Sequence, residues 1–287
     1  MIKFNIVAPI NKVPSTFKLF LQSIENQDYK EKKLFLIIDN NPQLKNELLE
    51  HFHDINFDYI ILENNGSSGP SATRNLAINY INDGFITFLD SDDMLGKNYL
   101  KKMRYFLEKN PNVKAVAASG KKYALDDKQN PIFRGKSNLI FKSGCLDHIQ
   151  VFLNEIGSIS GFSISAENKV LFDESMFFLE DYDFYIKTLD KGINIYSAPC
   201  CQYFYFVQVG GKKYDYEKQT FACKKILENH CIQSKDNFYL RLLLTLQAHK
   251  LMFRHSEKIG IAFGLMVLIF FLYPMHMVRF IRRLINV

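Results

Sequence analysis

The stretch Phe85-Ile86-Thr87-Phe88-Leu89-Asp90-Ser91-Asp92-Asp93 sets the reading of this chain. Its first five residues are aromatic, aliphatic or β-branched, which describes a buried strand, and three carboxylates follow in the next four positions. Open α/β sheets bind ligands where strands end at their carboxyl side. Clustered carboxylates repel one another, so a cation is expected among them; hard oxygen donors suit Mg²⁺ or Mn²⁺ bridging to a phosphate. A solvated turn capping a helix before Met94-Leu95 uses the same residue types. The rest of the chain decides between these readings.

Outward from that stretch, strand-like and helix-like segments alternate. Phe4 to Ile10 is a short apolar run; Phe17, Phe20, Leu21 and Ile24 have helical spacing within 15–26, with Ser15 as a cap. Leu34 to Ile38 and Tyr59 to Leu62 are further strands, ending in Asp39-Asn40-Asn41-Pro42 and Glu63-Asn64-Asn65-Gly66. Helices are expected over 71–81 and 99–109, and another strand over 115–119. This alternation predicts an α/β fold around a mostly parallel sheet flanked by helices. Residues 125–136 read as a loop or hairpin between two halves.

The chain has 287 residues and is 47% hydrophobic, enough for one substantial domain with an appendage. Five cysteines without a CxxC pair or disulfide-like spacing fit a reducing compartment and ordinary buried thiols. The amino terminus shows no signal-peptide pattern. Net charge is concentrated at the other end. Residues 238–287 carry seven basic side chains and one acid, flanking an uncharged segment, 259–278, that is broken by Pro274. Residues 259–275 would make a helix of about 26 Å, at the short limit for a bilayer span, and both flanks are basic. The preferred reading is a helix or hairpin lying on, or dipping into, the cytoplasmic leaflet. A buried terminal helix or an oligomer interface is the alternative. Nucleic-acid binding is not expected, because the basic residues flank an apolar segment rather than interleave with aromatics.

Two further constellations carry chemistry. Gly66-Ser67-Ser68-Gly69 before a helix offers backbone N–H groups to a phosphate, although it matches neither the P-loop nor the dinucleotide-binding spacing. Arg74, one turn into that helix, would face the ends of the strands. Downstream, Glu180-Asp181 begins a helical run that Gly192 stops. Acids suit a helix amino terminus. The apolar neighbours Phe177, Phe178, Leu179 and Phe184 would also desolvate them, raising a carboxylate's pKa toward that of a general base.

In order, these residues resemble the family 2 glycosyltransferases of the GT-A fold, over about residues 3 to 210. The resemblance rests on Val7-Ala8-Pro9-Ile10-Asn11, Ser23-Ile24-Glu25-Asn26-Gln27, Ile37-Ile38-Asp39-Asn40-Asn41, Asn65-Gly66 through Ala72-Thr73-Arg74-Asn75, Phe88 through Asp93, and Phe172-Asp173-Glu174 leading to Glu180-Asp181. It implies a GT-A domain over 1–215, with a nucleotide-sugar half (1–120) and an acceptor half (121–215), followed by a helical extension over 216–287. Asp39 would hold the base, with Pro9 and Asn11 lining its pocket and Arg74 beside the base or diphosphate. Asp90 and Asp92 match the DxD acids, Asp90 nearer the ribose and Asp92 on a Mn²⁺ or Mg²⁺ ion. Asp181 matches the catalytic base and Glu180 the neighbour that orients it. Ile38 replaces an acid common in the family. Tyr205-Phe206-Val207-Gln208 stands where a Tyr-Arg-x-His pattern is frequent, so Gln208 takes the place of that histidine near the metal.

The activity implied is inverting transfer from a nucleotide sugar, a UDP-sugar first, to a hydroxyl of a glycan. Residues 137–170 occupy the acceptor region. The membrane-seeking tail adds a lipid-anchored acceptor, such as a lipid-linked oligosaccharide or a lipopolysaccharide core, and a peripheral or monotopic place at the cytoplasmic face of a bacterial inner membrane; an oligomer is possible. Rival readings are a nucleotidyltransferase, which lacks its basic glycine-rich signature here, and a non-catalytic sugar-nucleotide-binding or membrane scaffold protein, which would not need Asp181.

Overall fold

The structure, a computed structural model, describes residues 1–126, 130–138, 140, 142–146, 150–151, 154–207 and 216–231. The chain divides into two compact units, Met1–Leu146 with Glu155–Gly211, and Asp147–Asn154 with Lys212–Val287. In the second unit the main described element is the helix Tyr216–Cys231. The apolar segment 259–278 and its basic flanks lie outside the described residues, as does Gln208. No helix among the described residues is long and apolar enough to cross a membrane.

The first unit is built on one sheet. Its strands are β1 (Phe4–Ile10), β2 (Lys32–Asp39), β3 (Asp58–Asn64), β4 (Phe85–Phe88), β5 (Met94–Leu95), β6 (Ala115–Leu125), β7 (Pro131–Lys136), β8 (Gly144–Cys145), β9 (Phe162–Ser165) and β10 (Ile195–Phe206). The spatial order is β3-β2-β1-β4-β9-β6-β10-β5, with β7 on β6 and β8 on β10. Strands β3, β2, β1 and β4 are mutually parallel, as the alternating pattern predicts. The far half is mixed. Strand β9 runs antiparallel between β4 and β6, and β5, β7 and β8 are also antiparallel to their partners.

The parallel half follows from its sequence. Leu34 to Ile38 are all buried, as expected of a strand covered on both faces. In β1, Phe4, Ile6, Ala8 and Ile10 face one core layer, which also takes Phe17, Phe20, Leu21 and Ile24 of α1 (Phe17–Glu25), Leu44 and Leu48 of α2 (Leu44–Glu50), and Leu100 and Met103 of α4 (Tyr99–Lys109). On the other face, α3 (Pro70–Tyr80) packs across β1 and β2, with Tyr80 against Phe35. Helix α5 (Glu180–Asp190) brings Phe184 to stack on Phe172, with both rings edge-on to Phe88. Helix α5 ends as its sequence indicates: Gly192, at φ 74°, donates its N–H to the Leu189 carbonyl. Helix α1 begins differently. Its cap position is Thr16 rather than Ser15, and the Thr16 hydroxyl donates to the Asp92 carbonyl at 2.9 Å instead of capping the helix. Among the thiols, Cys201 is buried, but Cys145 and Cys200 are exposed, against the expectation of buried cysteines.

Gly161 locks the acid-bearing strand to the mixed half of the sheet. Its N–H donates to the Phe88 carbonyl at 2.8 Å, and its own carbonyl accepts from Ala118 N at 3.1 Å and the Tyr99 hydroxyl at 3.0 Å. Its φ is +78°, and a Cβ there would lie 2.4 Å from Cδ1 of the buried Tyr203. Gly161→Ala combines left-handed strain with overpacking and is expected to cost on the order of 3 kcal/mol. A fall in the urea midpoint at unchanged m-value checks it, and an unchanged midpoint would contradict this account.

Candidate functional site

Because β1 to β4 are parallel, their carboxyl ends share one edge, and the acids predicted from sequence gather along it. Pro9 is half-buried near the end of β1, paired with Ile37 of β2; Asn11 is exposed just beyond, and its carbonyl accepts from the Asn41 amide at 3.0 Å. Asp39 ends β2. Its Oδ2 accepts the Gly69 N–H at 3.0 Å and its Oδ1 accepts from Asn64 Nδ2 at 3.2 Å. The glycine-rich loop is therefore tied back to β2 and β3: Asn64 also bonds the Ser67 carbonyl and the Gly66 N–H. The Gly69 N–H, available to a phosphate in the sequence reading, is used by Asp39 at the start of α3.

Helix α3 then carries Arg74 to the centre. Arg74 is 3% exposed. Its Nη2 lies 2.6 Å from Asp90 Oδ1 and its Nη1 3.5 Å from Glu180 Oε1, and its guanidinium carbon sits 5.3 Å from the centre of the Phe172 ring. The guanidinium thus joins the acid after β4 to the first residue of α5, which lies far along the chain. Burial opposes its charge, and Asp90 and Glu180 outweigh that, so it is held as a cation above its ordinary range. The next residue does similar work on the backbone: Asn75 accepts the Phe172 N–H at 2.9 Å and donates to the Phe172 carbonyl and to Glu174 Oε1, both at 3.0 Å. These contacts explain why Ala72 to Asn75 and Phe172 to Glu174 stand as separate motifs in the sequence.

Asp181, beside Glu180, is half-buried, and its Oδ1 accepts the Tyr182 N–H at 2.7 Å. Burial pushes its carboxyl up to about 7 and Glu180 adds to the rise; the Tyr182 N–H and Arg74 pull the other way. A carboxyl at that value can exchange a proton near neutral pH.

The acid cluster itself contains one more member than the DxD pattern names. Ligand oxygens of Asp90, Asp92 and Asp93 all lie within 4.8 Å of one another. Asp93 is fully buried; its Oδ1 accepts the Phe206 N–H at 3.0 Å, and its Oδ2 has no hydrogen-bond partner among the described residues. Burial, then Asp92 and Asp90, push its carboxyl well above the usual range, while Ser160 and the Phe206 N–H hold it back. An unmatched buried carboxylate oxygen facing two further acids suits a divalent cation with oxygen ligands. Asp93 lies inside the quoted stretch, but its burial depends on Phe206, 113 residues away, and nothing local marks it. Ser160 falls in the region expected to take the acceptor; its hydroxyl instead accepts the Asp90 N–H at 3.0 Å, and Phe162 to Ser165 form the central strand β9.

Removing Arg74 leaves Asp90 and Glu180 facing each other without a cation in a partly dehydrated cleft. Arg74→Ala is expected to destabilise by about 3 kcal/mol, the lower end for broken buried pairs because Asp90 keeps some solvent access. Urea unfolding reads this directly, and a loss below about 1 kcal/mol, as for a surface pair, would show that the bridge does not hold the site together.

Comparison with known proteins identifies the family and the fold. The profile of "Glycosyl transferase family 2" matches residues 6–166, more than half of the chain. The glycosyltransferase GlyA of Streptococcus pneumoniae is 24% identical over 171 residues, 58% of this chain and 24% of that protein. The minor teichoic acid biosynthesis protein GgaA of Bacillus subtilis is 29% identical over 211 residues, 70% of this chain and 46% of that protein. The chain thus spans less than half the length of either relative. The structure of Staphylococcus aureus TarS residues 1–349 in complex with UDP-GlcNAc superposes with a TM-score of 0.64 at 16% identity, covering 90% of this chain and 74% of that one; TarS is described as a poly(ribitol-phosphate) beta-N-acetylglucosaminyltransferase. That likeness shows a shared fold, and the profile shows the family: this chain belongs to glycosyl transferase family 2.

Proposed function

We propose that this protein transfers a sugar from a nucleotide sugar, a UDP-sugar first, to a hydroxyl of a cell-surface glycan or polyol-phosphate acceptor, with inversion at the anomeric carbon. The observation that carries the reading is the pairing, through Arg74, of an acid cluster fit for a cation with a second, separate carboxyl, Asp181, held near neutral pKa. Asp39, with Pro9 and Asn11 beside it, receives the nucleoside. Asp90, Asp92 and Asp93 would hold Mn²⁺ or Mg²⁺, which when bound neutralises the charge of the leaving diphosphate. Asp181 accepts the proton of the attacking hydroxyl, and Glu180, tied to Arg74, fixes the start of the helix that presents it. Attack by that oxygen breaks the bond from the anomeric carbon to the diphosphate in one displacement. A binding-only role would give Asp181 nothing to do. The relatives' surface-polymer roles support the acceptor class, and the basic, apolar tail supports an acceptor carried on a lipid at the cytoplasmic face of the membrane, reached by a peripheral or monotopic enzyme.

Asp181→Asn should leave UDP affinity unchanged and lower turnover by about a hundredfold or more. In the unsubstituted protein kcat/KM should rise with pH through about 7, since the base works only when ionised and its carboxyl is raised to about 7. A variant with normal turnover, or an acid limb near pH 4, would remove Asp181 from the mechanism.

The tail is tested separately. A chain ending at residue 237 should keep donor hydrolysis and lose binding to anionic phospholipid vesicles, while equal vesicle binding by both lengths would end the membrane role of residues 259–278.

A further inference from the structure

Strand β10 is interrupted before it reaches the acid cluster. Ala198 lies opposite Ala118 of β6 and Gln202 lies opposite Ser119, so four steps along β10 answer one along β6, and Pro199, Cys200 and Cys201 are left over as a bulge. Proline has no N–H to give a ladder, which suits it to such a place. The bulge is pinned where it rejoins the sheet, because the Gln202 carbonyl accepts the Gly96 N–H at 2.7 Å. Adjacent side chains of a regular strand point to opposite faces. Here the two sulfurs are 3.9 Å apart, within reach of a sulfur hydrogen bond, although Cys200 is exposed and Cys201 is fully buried.

The two thiols meet different surroundings. Helix α4 packs along β10 and brings two titratable side chains to the pair, Lys102 and the buried Tyr99. Burial holds the Tyr99 phenol neutral, so Lys102 is the cation that acts on the sulfurs. The hydrogen bond from Cys201 pulls the Cys200 thiol down to about 6, with backbone groups and Lys102 assisting and burial opposing. The same bond, then burial, pushes the Cys201 thiol far up. When Cys200 is ionised only Cys201 can be the donor. One sulfur is therefore chiefly thiolate at neutral pH and open to solvent, with a protonated thiol behind it.

We infer that Cys200, supported by Cys201, is a thiol-modification site that takes up one half of a low-molecular-weight disulfide of the glutathione class. The Cys200 thiolate attacks one sulfur of that disulfide; a bond forms between the two sulfurs, the small molecule's own S–S bond breaks, and the released thiolate takes a proton from water. Cys200 is oxidised and the departing thiol is reduced, and an excess of free thiol reverses the exchange. Closure to a Cys200–Cys201 disulfide is disfavoured, because neighbouring Cα atoms are about 3.8 Å apart and disulfides usually need about 4.4 Å or more. It would also require the buried Cys201 to give up its proton. Cys145, the other exposed thiol among the described residues, points its S–H at the Leu146 carbonyl at 3.6 Å, a contact that ionisation would forfeit.

Oxidised glutathione is the probe, added to the full-length protein and read by intact mass and peptide mapping, alongside the pH dependence of iodoacetamide alkylation at the same position. The unsubstituted protein is expected to gain a glutathione that maps to the peptide holding Cys200 and Cys201 and that dithiothreitol removes. Cys200→Ser should lose this adduct, and Cys145→Ser should keep it. Alkylation should rise with pH through about 6. In Cys201→Ala, which removes the donor, that midpoint should move up by about one unit or more, toward the ordinary thiol value of about 8.5. Cys201→Ser retains a hydroxyl donor and should hold the midpoint below that of Cys201→Ala. Urea midpoints show that each variant folds. Faster modification of Cys145 than of Cys200, or an unmoved alkylation midpoint in Cys201→Ala, would overturn the inference. So would loss of two hydrogens in place of a glutathione gain, which would make the pair a disulfide switch instead.

Discussion

A single buried guanidinium holds the candidate site together. Arg74 touches the acid that follows β4 and the acid that starts α5, and it bridges two elements that lie far apart in the chain. Two unit charges about 4 Å apart near a protein surface attract by roughly 4 kcal/mol, before the cost of dehydrating them. The dehydration is offset by geometry: one carboxylate at 2.6 Å, a second at 3.5 Å and an aromatic face below. Without the cation, Asp90, Glu180 and Asp181 would be three carboxyls in one cleft.

Arg74 can act this way only if α3 is placed to within a fraction of its own pitch, and the helix is fastened on either side of it. At the amino end, Asp39 takes the Gly69 N–H. One residue past Arg74, Asn75 holds the Phe172 backbone at both its N–H and its carbonyl. Phe172 in turn stacks on Phe184 at 4.2 Å, and both meet Phe88, whose strand delivers Asp90. The electrostatic bridge and the aromatic layer behind it therefore close the same loop of contacts. A shift in either is felt in the other, because packed aromatic cores do not deform continuously. On the opposite side α1 and the residues at its ends make the matching contacts. Ser23 accepts the Leu95 N–H, Gln27 accepts the Leu100 N–H and donates to the Gly96 carbonyl, and Thr16 holds the Asp92 carbonyl. The acid turn is thus gripped from both faces of the sheet.

Much of this arrangement is legible in the sequence, and the illegible remainder has a common cause. Continuous apolar runs such as Leu34 to Ile38 announce parallel strands, helical spacing announces α1 and α4, and the order of the motifs brings Asp39, Arg74, Asp90 and Glu180 to one edge. Strand β9 has no such local signature: Phe162 to Ser165 is four residues with two serines, and its strand character comes from lying between β4 and β6. The burial of Asp93 and the use of Ser160 on the Asp90 N–H both require partners 113 and 70 residues distant. The role of Arg74 is half legible: its place at the cleft can be read, but its two acidic partners cannot. Local patterns specify elements and their ends; they say little about which polar group a buried side chain will find.

The two sets of carboxyls differ in what burial has been allowed to do to them. Asp93 sits at zero exposure beside Asp90 and Asp92; burial and those two acids push its carboxyl up, and Ser160 and the Phe206 N–H hold it back. Asp181 is also pressed by burial and by Glu180, but Arg74 and the Tyr182 N–H restrain it to about 7. The guanidinium stands against Asp90 and Glu180; the Asp93 end keeps three acids whose oxygens lie within 4.8 Å of one another, and the Asp181 end is balanced near neutrality. The first condition favours taking up a divalent cation, the second favours taking up a proton, and separating the two is what allows neighbouring acids to play different parts in one reaction.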